Sequence, residues 1–190
     1  MTDSSIQFGR VKLRGSVLAA PMAGVSDRPY RRLVRIHGAA LAVSEMISAN
    51  PALRHTSESL RRIDHSGETG PISIQLLGAD PLQMAEAAKF NVDRGANIID
   101  INMGCPVDKV CKKNGGSLLL KTPGKTATLA KQIVEATAGV PVTAKIRLGW
   151  EEDELTAPEL AKRLEDAGIK AITVHGRTTR QMFRGSANLD

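Results

Sequence analysis

Cys105 poses the first chemical question. It stands between Gly104 and Pro106 in IIDINMGCPVDKV (98–110), where an apolar run gives way to charge. A cysteine that only fills core space belongs inside such a run; one placed where the chain leaves it is available for chemistry. A thiol of ordinary pKa keeps its proton at neutral pH and can serve as a general acid, whereas a positive environment makes a thiolate, a nucleophile or metal ligand. Lys145 is the second such residue, in the middle of VTAKIRL (142–148). A buried ammonium group is too costly to leave unpaired. It either pairs with an acid, for which Asp100 is available, or meets a ligand: a carbonyl substrate in a Schiff base, or a negatively charged cofactor. His175 shares one face of AITVHGR (171–177) with Arg177 and suits binding or acid–base work, although a lone histidine is also a common core residue. Gln75 and Asn102 carry amides that could read the edge of a flat heterocycle or tie loops together. The small residues of APMAGVSDRP (20–29) let a ligand approach the backbone closely.

Six short apolar stretches must position these groups: 16–22, 41–46, 71–78, 97–103, 141–149 and 171–177. Helical patterns separate them. One runs over 27–38, starting at Ser26 or Asp27 and stopping at Gly38. Another runs over 79–95, capped by Asp80, with Leu82, Ala85, Ala88 and Val92 on one face. Two more cover 122–139 and 154–168, and a weaker one covers 51–65. Alternating strands and helices imply βαβ units and a parallel sheet. Along the strands Val142, Ala144 and Ile146 oppose Thr143, Lys145 and Arg147. In the same way Ile99 and Ile101 oppose Asp100 and Asn102, and Ile72, Ile74 and Leu76 oppose Ser73 and Gln75. An open doubly wound sheet should be apolar on both faces; one polar face turned inward fits an α/β chain of the TIM-type (β/α)8 barrel class, with its site in the C-terminal mouth. Six strands are fewer than eight, so residues 1–190 read as an incomplete barrel that stops before strands seven and eight. A complete six-stranded open sheet is the competing reading.

The 190 residues are 42% hydrophobic but only 3% aromatic, so the core is built from Ala, Val, Ile and Leu. The formal charge is +6 and the pI about 9.6, which favours polyanionic partners such as nucleic acid without requiring one. Cys105 and Cys111 match neither a disulfide framework nor a metal-ligand spacing. No apolar run has membrane length and no signal segment opens the chain, so the expectation is a cytoplasmic protein. There is no G-x-G-x-x-G and no Walker A sequence.

Taken in order, APMAGVSDRPYR (20–31), SEM (44–46), QLLG (75–78), DINMGCPVDKV (100–110), GGSLLL (115–120), VTAKIRLGW (142–150) and VHGRTTRQMFRG (174–185) resemble the tRNA-dihydrouridine synthases, most closely the bacterial B-type branch. The resemblance implies an FMN-binding barrel catalytic domain, whose last strands and following helical tRNA-binding domain this chain lacks. It implies NADPH as reductant and tRNA as partner. It places Pro21, Met22, Ala23, Gln75, Lys145 and His175 at the flavin, and Asn102 at the uracil. Arg177, with Arg180 and Arg184, would meet tRNA phosphate. Cys105 would be the catalytic acid that protonates C5 of the uracil after hydride reaches C6, in a loop fixed by Gly104 and Pro106. Such a chain alone should hold FMN weakly and modify tRNA poorly. Three other readings stay open: a dihydroorotate dehydrogenase-like enzyme acting on a free pyrimidine, a Schiff-base aldolase, and a non-catalytic RNA-binding fragment.

Overall fold

The computed structural model describes residues 5–112 and 114–189. A hairpin comes first, β1 (Gln7–Phe8) and β2 (Val11–Lys12), turning at Gly9. The parallel strands follow: β3 (Leu18–Ala19), β4 (Leu41–Ala42) continued by β5 (Ile47–Ser48), β6 (Ser73–Leu77), β7 (Ile98–Met103), β8 (Val142–Arg147) and β9 (Ala171–His175). β3 pairs with β4, and β5 through β9 form one parallel sheet in sequence order. A bridge between Val43 and Ser73 joins the two sheets. Every stave therefore neighbours the next one in the chain. That is the singly wound order of a (β/α) barrel, not the reversing order of a doubly wound sheet.

Five of the helices sit where the sequence places them. Asp27 caps α1 (Arg28–Ile36) by accepting from the Tyr30 N–H, and Asp80 caps α3 (Pro81–Asp93) by accepting from the Gln83 N–H. The weaker pattern at 51–65 resolves into a 3-10 turn, Pro51–Leu53, and α2 (Ser57–Ile63). α5 (Pro123–Ala136) and α6 (Ala157–Asp166) complete the set, with the short α4 (Asp108–Cys111) in the loop after β7. The face of α3 differs from expectation. Met84, Ala87, Ala88 and Asn91 are buried, while Leu82 is 72% exposed. Alanines lie all round this helix, so the apolar pattern does not single out one face.

The main core is the outer side of the sheet. Ile74, Leu76, Ile99, Ile101, Met103, Val142, Ala144 and Ile146 pack against α3, α5 and α6. A second cluster, Phe8, Leu13, Leu41 and Ile98, with Leu18 and Ala171 against it, seals the N-terminal ends of the staves. The hairpin is thus a floor beneath the polar inner face, and a cleft lies above it at the C-terminal ends. The outer side of β9 is less covered: Val174 stays 47% exposed.

One buried ion cluster fixes the wall next to that opening. The Arg31 guanidinium, 2% exposed, pairs with Glu68 at 2.6 Å and donates to the carbonyls of Ser26 and Asp64. Arg35 approaches the same Glu68 at 3.6 Å. Replacing Glu68 by Ala strands two arginines without a counter-charge, and breaking a buried pair in this way costs about 3–5 kcal/mol. Urea unfolding of Glu68→Ala is expected to show a loss of that size.

Candidate active site in the barrel mouth

A cleft of about 470 Å³ occupies the C-terminal mouth. Pro21, Met22 and Ala23 form one wall. This loop folds on itself, because the buried Ser26 hydroxyl accepts from Met22 N–H and donates to the Met22 carbonyl. The buried Glu45 carboxylate accepts from Gly24 N–H at 2.7 Å and holds the loop to the next stave.

The inner face supplies the rest. In register, Gln75 lies beside Asp100 and Asp100 beside Thr143. One step higher Asn102 lies beside Lys145, and above them Arg147 lies beside His175. The Asp100 carboxylate is buried and accepts from Gln75 Nε2 at 2.7 Å and Thr143 Oγ1 at 2.6 Å. Burial raises its pKa, opposed by those two hydrogen bonds and by the Lys145 charge. Lys145 therefore does not gain Asp100 as a close ion-pair partner. Among the described residues its ammonium group has no carboxylate within 4.0 Å and no hydrogen-bond acceptor. Burial lowers its pKa, Asp100 pulls it back up, and Arg147 lowers it further. His175 Nε2 is also buried without a partner. Burial first, and then the charges of Arg147, Lys145 and Arg177, hold that imidazole below its usual pKa. The mouth thus presents, among the described residues, an unshared ammonium, an unshared imidazole nitrogen and an apolar wall of Pro21, Met22 and Ala23. These fit a planar, negatively charged heterocycle.

Cys105 is half-buried at the edge of the same cleft. Its N–H and that of Gly104 donate to Asn102 Oδ1 at 3.0 and 3.2 Å. Its carbonyl accepts from Ser117 N–H at 3.0 Å. The close crossing depends on Gly116, whose φ is +61° and where a Cβ would lie 2.6 Å from that carbonyl. At Gly104 a Cβ would meet nothing nearer than 3.5 Å, so Asn102 and Gly116, more than Gly104, hold the loop.

Arg147 is the residue that sequence reading left without a role. It is 3% exposed; its Nε donates to the Gly104 carbonyl at 2.8 Å, and Nη1 donates to the carbonyls of Thr178 and Met182 at 2.9 and 2.8 Å. It joins the Cys105 loop to the loop after β9. The period-two alternation already put it on the Lys145 face. Phe183, 73% exposed and under the Arg147 guanidinium, also lines the cleft, and nothing local in the sequence marks it. Of the sequence-derived site residues, Pro21, Met22, Ala23, Gln75, Asn102, Cys105, Lys145 and His175 line this one cleft. Arg177 does not. Its guanidinium is spent on the carbonyls of Arg184 and Gly185 in the rim loop, and Arg180 pairs with Glu151.

Residues 17–190 match the family model described as dihydrouridine synthase. The chain belongs to that family. It is 49% identical over 185 residues to tRNA-dihydrouridine synthase B of Vibrio parahaemolyticus, covering 97% of this chain and 57% of that protein. It is 50% identical over the same length to tRNA-dihydrouridine synthase B of Proteus vulgaris, with the same coverage. The chain thus spans somewhat over half the length of these curated relatives. Among solved structures, the old yellow enzyme from Trypanosoma cruzi superposes with a TM-score of 0.66 at 11% identity, over 97% of this chain and 77% of that one. Morphinone reductase in complex with tetrahydroNAD gives 0.60 at 17% identity, over 99% and 80%. These likenesses support the barrel fold, and the six staves are a part of it.

The depressed His175 pKa gives a direct test. The folded state resists protonating this imidazole, so the unfolded chain binds more protons in the window from 6.5 downward, and His175 costs stability as pH falls through it. Proton NMR of the ring is expected to show a midpoint below 6.5. His175→Gln is expected to flatten the loss of thermal stability between neutral pH and that midpoint.

Proposed function

We propose that this chain forms the flavin- and uracil-binding part of a cytoplasmic tRNA-dihydrouridine synthase, which uses FMN, with NADPH as reductant, to saturate the C5–C6 bond of a uridine in tRNA. The observation that carries this reading is the convergence of Cys105, Asn102, Gln75, Lys145 and His175 on one cleft in which, among the described residues, Lys145 Nζ has no acidic or hydrogen-bonding partner and His175 Nε2 is buried without one. The relatives named as tRNA-dihydrouridine synthases support the same reading.

Lys145 and His175 would hold FMN on its polar edge, Gln75 would add an amide contact, and Pro21–Ala23 would lie against the ring. A bound FMN contributes hydride chemistry that no side chain has. The protein's own part is proton and position. Lys145 sets a positive charge where the bound group carries negative charge. Asn102 orients the base. Cys105 holds a proton on Sγ for C5, on a loop that Asn102 and Arg147 both grip. A uridine can reach a barrel mouth only after leaving its stack. Of the rim-loop arginines, Arg184 would meet tRNA phosphate, whereas Arg177 and Arg180 would first have to leave the Arg184 and Gly185 carbonyls and Glu151.

The test has two parts. FMN is added to the purified chain and the visible spectrum is followed through gel filtration; Lys145→Ala is expected to weaken retention by about tenfold, the size of one charge-assisted contact. With the chain extended to the length of its relatives, Cys105→Ala is expected to keep the flavin and lower dihydrouridine formation in tRNA by about 10²–10⁴-fold, measured by nucleoside mass spectrometry. Full activity in Cys105→Ala would remove the assigned proton donor. Absence of any flavin affinity at either length would remove the cofactor.

A further inference from the structure

Side chains from β6, β7 and β8 form a hydrogen-bond chain with a fixed direction. Thr143 Oγ1 and Gln75 Nε2 donate to Asp100, Asn102 Nδ2 donates to Gln75 Oε1 at 2.8 Å, and the N–H groups of Gly104 and Cys105 donate to Asn102 Oδ1. A carboxylate only accepts and a backbone N–H only donates. These two ends therefore dictate both amides between them. Turning either amide over would set NH2 against NH2 or oxygen against oxygen, in a region where an unmade bond is expensive.

The consequence reaches the cleft. Asn102 Oδ1 is used up by two backbone donors. What the amide has left is an Nδ2 hydrogen, which among the described residues meets only Met46 Sδ at 3.7 Å, a weak acceptor that a better one would displace. We propose that Asp100 is a positioning residue: acting through Gln75 and Asn102, it secures the Cys105 loop and makes Asn102 an obligate N–H donor toward the ligand. The choice of ligand rests on the function proposed above. A base that brings a carbonyl to Asn102, as uracil does at C4, is accepted. One that brings an amino group there, as cytosine does, sets donor against donor and is refused.

This role differs from that of a charge partner for Lys145. Asparagine at position 100 keeps an oxygen for Gln75, while the Thr143 hydroxyl turns to accept from the new NH2 group. Direction is preserved and charge is lost. Leucine loses both. Gln75→Met cuts the chain in the middle and leaves Asp100 and Thr143 bonded to each other.

The experiment is hydrogen exchange by NMR at the backbone amides of Gly104 and Cys105, with core amides of β7 and β8 as internal reference. Asp100→Asn is expected to leave exchange within about threefold of the unaltered chain. Asp100→Leu and Gln75→Met are each expected to speed it at least tenfold at these two amides, with the reference amides unchanged. Should Asp100→Leu fail to fold, Gln75→Met decides alone. Slow exchange in folded Gln75→Met, or Asp100→Asn as fast as Asp100→Leu, overturns the proposal. With FMN present, millimolar uracil is expected to shift the Asn102 Nδ2 hydrogens and cytosine to leave them in place; an equal response to both bases overturns the donor assignment. Silence toward both bases beside an intact exchange pattern counts against the pyrimidine reading of the cleft, and not against the positioning role.

Discussion

Side chains along a strand alternate between two faces, and in this chain that constraint carries structure and chemistry together. One face of β6, β7 and β8 is apolar and packs on α3, α5 and α6. The other holds Gln75, Asp100, Asn102, Thr143, Lys145 and Arg147 in register. The same strand of five or six residues thus fills the core and builds the site, and neither task can be moved without the other. A one-residue slip in β8 would bury Lys145 against the helices and turn Ile146 into the cleft. The register is held because both faces reject the alternative.

This explains which parts were legible in advance. The strands, the inward set and the singly wound order follow from period two, and the apolar runs at 71–78, 97–103 and 141–149 display it openly. The face of α3 was not legible, because alanine is nearly neutral between core and surface. Whether Leu82 or Met84 turns inward is decided by the packing partner rather than by the helix itself. The hairpin at Gln7–Lys12 was not legible for a related reason: two-residue strands carry too little pattern, and their burial is conferred by the stave ends above them.

The candidate site shows the same division. Cys105, Lys145 and His175 stand out by residue type in an unexpected setting. What holds them does not stand out. Glu45 and Gly116 meet backbone atoms of residues far away in sequence, Gly24 and Cys105, which no local pattern encodes. Asp100 was visible as a charge inside a strand, and charge pairing with Lys145 was one of the readings it left open. Its actual bonds, to an amide and a hydroxyl, belong to geometry.

Arg147 draws the Gly104 carbonyl and the carbonyls of Thr178 and Met182 onto one buried guanidinium. Two loops that are separate in sequence are thereby one mechanical part. A residue inserted into or deleted from either would pull on the other through this guanidinium. A displacement of loop 178–183 is thereby felt at the Gly104 carbonyl and, one residue on, at Cys105.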